Sequence, residues 1–293
     1  MSAAMKMSMP RADASTRISI GSVHSAHSHL RVSSKHSGRQ AARCAVVAEA
    51  SSELGALSGI EVVGLQSGAL TDVTSLCKQT SGSPCIMVFF THWGDLGSWE
   101  YAQRLVKVLP KLEDAGIEIV ATGLGSVSGG REFSKCTGFP LDRLYADPAG
   151  ECHRALGFNP GFARDADISP YIKLLTMLAG VGSPGTIQEV LRGYIGDRES
   201  KPVYDQASPF DLLGTGYQRP FELATLRLKN MVDILPKWEK LCPPDNNLLV
   251  QQGGTLVFKG DEVVFKHEDS GILKTADVEE LLAAVAPAAA DQQ

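Results

Sequence analysis

"CIMVFFTHWGDLGSWEYAQRL" (Cys85–Leu105) reads as a strand, a polar glycine-bearing turn and a helix. The run Cys85–Trp93 is of strand length and is apolar at successive rather than alternate positions, which fits a strand covered on both faces. Beyond the turn, Ser98 is suited to cap a helix in which Ala102, Leu105, Leu109 and Leu112 recur at helical spacing. Gly116 ends that helix and Pro110 is expected to bend it. Many α/β enzymes present a catalytic side chain on such a turn, yet the turn itself holds no cysteine.

Working outward, "IEVVGLQ" predicts a first strand, "LTDVTSLCKQ" a helix and "SGSP" a turn. After the opening unit come a strand at Ile117–Gly125, a short helix in "GGREFSKCTG", a strand in "LDRLYADP" and a helix in "GECHRALGF". This alternation implies a sheet that is at least partly parallel, with right-handed crossovers. Near the other end, Gly253–His267 predicts a hairpin around Lys259-Gly260-Asp261, and "KTADVEELLAAVAPAAA" predicts a closing helix. The expected fold is α/β, a thioredoxin-like central sheet flanked by helices, in one domain over 58–288. Residues 159–249 interrupt it. They carry helical patterns, the strongest with Leu223, Leu226, Met231, Ile234, Leu235 and Trp238 at its apolar positions, and predict a helical insertion packed on the sheet.

Composition sets the class. The chain has 293 residues, 43% hydrophobic and 21% charged, enough to bury a core. Residues 1–48 hold seven Lys/Arg against the single acid Asp13 and are rich in Ser and Ala; the rest holds 21 basic and 32 acidic residues, a net of −11. The basic segment predicts an organellar transit peptide, disordered, with chloroplast stroma as the address; a retained basic arm is the alternative. His24, His27, His29 and His36 within it resemble a metal tract only in composition. No run reaches the roughly 18 apolar residues of a membrane span, and the acidic surface argues against nucleic-acid binding.

Residues 135–158, "KCTGFPLDRLYADPAGECHRALGF", resemble the peroxiredoxin pattern of helix, T-G-F-P, strand and D-P-x-G. The core is similar to the AhpC/TSA group, most of all to its peroxiredoxin-like 2 branch, and the insertion, with "GSPGTIQEVLRGYIGDR" and "QRPFELATLRLKNM", resembles a cyanobacterial and plastid type. The resemblance implies the peroxiredoxin-type thioredoxin fold and antioxidant thiol chemistry. It places the P-x-x-x-T-x-x-C motif on Thr91, Asp95 and Ser98, and the family's arginine near Gln252 or Gly253. Read against the C-x-x-C of peroxiredoxin-like 2 members, Asp95 and Ser98 stand at the two thiols.

A peroxidatic thiolate is the nucleophile, and helix N–H groups, a threonine hydroxyl and an arginine hold its pKa down. Serine stays protonated at neutral pH without a strong base, and Asp95 adds charge of the wrong sign. The expectation is therefore a pseudoenzyme: a binding or regulatory protein of redox homeostasis, with a partner or small ligand at the 91–99 turn (His92, Trp93, Trp99) and on the insertion. The alternative is a thiol oxidoreductase using a non-standard cysteine. Cys136, at a helix end beside Lys135, is the first candidate, ahead of Cys77 and Cys85, which read as reduced core thiols. His92, Asp95 and Ser98 also suggest a hydrolase trio, against which stands the simpler reading of Ser98 as a cap. "GLGSVSGG" (Gly123–Gly130) resembles a phosphate loop but lacks the following Lys-Ser/Thr, so a strand-to-helix turn is the simpler reading. No metal site and no cofactor are implied, and the oligomeric state is left open.

Overall fold

The central strand β3 (Cys85–His92) is buried at all eight positions. Its residues divide by parity: Ile86, Val88 and Phe90 face one apolar cluster, Cys85, Met87 and Phe89 the other. Full coverage on both faces is what the unbroken apolar run required. In this computed structural model, residues 52–77 and 83–290 are described, 287–290 by backbone alone. The transit-type segment and its histidines lie outside them.

The sheet has the order β2-β1-β5-β4-β3-β6-β7, built from β1 (Glu61–Gly64), β2 (Leu70–Asp72), β3, β4 (Glu118–Leu124), β5 (Leu144–Ala146), β6 (Gly254–Lys259) and β7 (Glu262–Glu268). β3, β4 and β5 run parallel; β1 pairs antiparallel with β5, and β6 with β3. α2 (Leu96–Asp114), α3 (Val127–Thr137) and α9 (Val278–Ala290) supply side chains to the cluster around Phe90. α1 (Glu53–Leu57) and α4 (Glu151–Ala155) close the opposite face with Leu57 and Cys152.

The insertion holds α5 (Pro170–Leu178), α6 (Thr186–Ile195), α7 (Glu222–Ile234) and the single turn α8 (Trp238–Leu241). It packs on α2 through α7, and α5 packs on the 3-10 segment Asn246–Val250, so its main support is a helix layer and not the sheet. Arg227 of α7 donates to Glu100 of α2 (Nε–Oε2 2.9 Å), and Gln103 and Asn230 exchange amide hydrogen bonds at 3.0 Å. Burial opposes ionisation of Glu100, but Arg227 and Arg104 hold its pKa below the ordinary value.

Several expectations are corrected. The described part of "LTDVTSLCKQ", Leu70–Cys77, is no α-helix: it gives edge strand β2 and a 3-10 turn at Val73–Ser75, because Asp72 accepts the Thr74 N–H (2.8 Å) and diverts the backbone. "LDRLYADP" is a 3-10 turn at Leu141–Arg143 before a three-residue strand. α2 begins earlier than expected, since its cap is Asp95, which accepts the Ser98 N–H at 2.7 Å. α2 continues through Pro110 to Asp114. Met231 and Leu235, placed on the buried stripe of α7, are exposed.

Candidate functional site

The turn after β3 is closed by its own side chains. Thr91 N–H donates to Ser98 Oγ (3.1 Å), and the Thr91 and Ser98 hydroxyls share a hydrogen bond at 2.9 Å. Asp95 N–H returns to the His92 carbonyl (2.9 Å), and the Trp99 indole N–H donates to the Trp93 carbonyl (2.6 Å). The three positions equated with a peroxiredoxin motif thus meet in one hydrogen-bonded unit. Ser98 is only 2% exposed.

His92 does not join it. The Ser98 hydroxyl bonds Thr91 instead, His92 Nδ1 is buried without a hydrogen-bond partner, and Trp238 meets the ring edge-on at 5.7 Å. Burial pushes the His92 pKa down, against the pull of Asp95. With no hydrogen bond between His92 and the Ser98 hydroxyl, the hydrolase trio is not assembled.

Access is blocked on two sides. A Cβ on Gly97 would lie 3.4 Å from the Leu273 backbone, and one on Gly94 would lie 2.9 Å from the Trp238 ring. The strap carrying Leu273 is tied to the insertion: Ile272 N–H donates to Ser183 Oγ (2.8 Å), and Thr186 Oγ1 donates to the Ile272 carbonyl (3.1 Å). Leu273 has φ 65°, a backbone strain that surrounding contacts must hold.

The glycine run Gly123–Gly130 has a different use from phosphate binding. Added Cβ atoms at Gly123 and Gly125 would fall 2.3 and 2.4 Å from the Trp93 indole, and those at Gly129 and Gly130 3.0 and 3.1 Å from it. The glycines make room for Trp93, whose N–H donates to the Ser126 carbonyl (3.1 Å). Trp93 and Trp99 are fully buried and, like His92, offer no surface to a ligand.

The thiols lie elsewhere. Cys77 and Cys85 form a disulfide, which corrects their reading as reduced core residues. Cys152 is buried under β3, where burial and Asp147 push its pKa up and keep it a thiol. Cys136 is partly exposed, and its partner is Lys237 of the insertion (Nζ–Sγ 3.1 Å), not the adjacent Lys135. Glu132 ties Lys237 and Lys240 at 3.3 and 2.8 Å; Lys240 first, with Lys237, lowers the Glu132 pKa to about 2.

Sequence reading missed Cys242. It lines an open cleft of about 380 Å³ with Trp238, Tyr171, Pro243, Pro244 and Ser126, the cap of α3. The Tyr171 hydroxyl accepts the Trp238 N–H at 3.2 Å. The cleft lies beyond the C-terminal end of β4, where open α/β sheets bind ligands. Its parts are widely separated in sequence, and "WEKLCPP" was the only local signal. Burial raises the Cys242 pKa. Among the described residues no group of three or more His, Cys, Asp or Glu is placed to hold a metal, and no helix is long and apolar enough to cross a membrane.

A search among curated proteins gives no match. Among solved structures, a mutant of Xanthomonas campestris peroxiredoxin Q is similar at 13% identity, with 80% of this chain and 94% of that one covered and a TM-score of 0.40. Peroxidoxin BcpB of Mycobacterium tuberculosis is similar at 10% identity, with the same coverage and TM-score. The sequence profile of the AhpC/TSA antioxidant enzymes matches residues 104–271, more than half of the chain, beginning just after the Ser98 turn. With its mixed sheet and flanking helices, the chain belongs to the AhpC/TSA family and has a thioredoxin-like, peroxiredoxin-type α/β fold.

Proposed function

We propose that the protein is a non-catalytic AhpC/TSA member acting by binding in plastid redox homeostasis, of the peroxiredoxin-like 2 branch and the cyanobacterial and plastid type. The observation that carries the non-catalytic reading is the Ser98 hydroxyl: buried, bonded to Thr91, and without a base. A hydroxyl so placed neither forms an anion at neutral pH nor cycles through a sulfenic acid. The branch rests on sequence resemblance, and the plastid address on the basic, Ser-rich composition of 1–48.

The test of the non-catalytic reading is peroxide consumption by the purified chain with a dithiol reductant. Consumption no faster than the reductant alone is expected; multiple turnovers abolished by Cys136→Ser would establish thiol catalysis instead. That second reading has one observation in its favour, the partly exposed Cys136 Sγ with the Lys237 ammonium 3.1 Å from it and the Glu132 carboxylate at 3.7 Å. The address is tested by a fluorescent fusion of the full chain: import with loss of the first 40 or so residues supports a transit peptide, and a full-length mature protein overturns it.

A further inference from the structure

Among the described residues, seventeen of the nineteen exposed large apolar ones lie in the insertion, between Ile168 and Leu235. They fall at helical spacing on the outward sides of three helices: Ile172 and Leu175 on α5, Leu191 and Ile195 on α6, Leu228 and Val232 on α7. α6 packs on both α5 and α7, so these stripes belong to one helical layer. The inward sides are occupied, α7 by its contacts with Glu100 and Gln103.

Charge is missing from the α5 and α6 part of this face, whereas on α7 Lys229 is exposed beside Leu228. From Ile168 to Ile195 every exposed residue is uncharged; Lys173 is buried, donating to the Arg164 carbonyl, and Glu189 and Arg192 are half-buried in an ion pair with each other. Charged residues resume at the borders, at Asp165 and Asp167 before and at Arg198 and Glu199 after. An aromatic and aliphatic centre depleted in charge, inside a polar rim, is the anatomy of a protein interface. A lipid surface would call for a border rich in Lys and Arg, whereas this one carries Asp165, Asp167 and Glu199 beside Arg198.

We infer that this face is covered by a second copy of the chain, giving a two-fold dimer through α5 and α6. Size supports it: a stable interface uses about 20–30 residues a side, a scale that the ten exposed large apolar residues between Ile168 and Ile195 approach with their neighbours, whereas lone monomers rarely expose such a patch. In a two-fold pair the residues nearest the axis meet their own copies, so a charge there would face its like. In a chain with 32 acidic and 21 basic residues beyond position 48, a charge-free window is what lets two copies meet without repulsion. The inference is independent of whether any thiol is active.

Analytical ultracentrifugation of the full chain at micromolar concentration tests it. A species of twice the chain mass is expected. Leu175→Asp with Leu191→Asp, both at exposed positions, weakens dimerisation about a hundredfold or more without lowering the melting temperature of the monomer. Leu70→Asp, on edge strand β2, leaves the dimer intact. A monomeric wild type, with or without binding to phosphatidylglycerol vesicles, overturns the inference. So does a dimer that survives the paired substitution or is lost with Leu70→Asp.

Discussion

Two residues carry most of the weight at the smallest scale. Ser98 Oγ accepts the Thr91 N–H and shares a hydrogen bond with its hydroxyl, so Thr91→Val removes one buried hydrogen bond and costs about 1–2 kcal/mol, measured by urea denaturation. Trp93 fills a hollow whose walls are glycines. Gly123→Ala forces a methyl group into the indole and is expected to cost about 3 kcal/mol, and Trp93→Ala about 3–5 kcal/mol through the cavity it leaves. A Gly123→Ala protein as stable as the wild type would show that the indole has room to move. None of this closeness was readable from "GLGSVSGG", because the same glycines serve a phosphate loop, a tight turn or a large neighbour, and the neighbour is a residue of another segment.

At the scale of elements, the insertion is fixed to the core by charge. Arg227→Met strands Glu100 at 6% exposure and should cost about 3–5 kcal/mol, whereas Glu100→Leu with Arg227→Met recovers most of the loss. Equal costs for the single and double variants would mean that the pair is not what anchors α7. The Glu132 carboxylate, held near 2 by Lys240 and Lys237, gives a pH signature. Its folded pKa lies below the ordinary 4.5, so its stabilisation is full above that value and is lost as the pH falls toward 2. Glu132→Gln should flatten that part of the acid limb of urea denaturation. Strands β1, β3 and β4, α2, α3, the hairpin and the closing helix were legible because their apolar spacing is set by the faces they bury. The failures were local: Asp72 redirected "LTDVTSLCKQ" by bonding the Thr74 N–H, and Asp95 took the cap that Ser98 was expected to supply. Met231 and Leu235 were read as buried because an apolar stripe implies a covered face, and a single sequence does not say whether the cover belongs to the same chain.

For the molecule as a whole, the disulfide and the sealed turn lie at opposite ends of β3. The Cys77–Cys85 bond closes a loop of sequence separation 8, and its reduction is expected to lower stability by about 2–3 kcal/mol. Non-reducing mass analysis with and without a dithiol, followed by thermal melting, checks both the bond and its worth. Its presence bears on the compartment, since structural disulfides persist where the thiol poise permits. The Ser98 turn is plugged by parts distant in sequence, the Leu273 strap and Trp238, and the cleft at Cys242 borders the proposed pairing face through Tyr171 of α5. The most direct measurement on the sealed turn, proposed above to be non-catalytic, is the alkylation rate of a thiol placed there by Ser98→Cys, followed peptide by peptide in the native protein. The account predicts no labelling at position 98 until denaturant is added, while Cys136 labels readily; native labelling at 98 as fast as at Cys136 would contradict it.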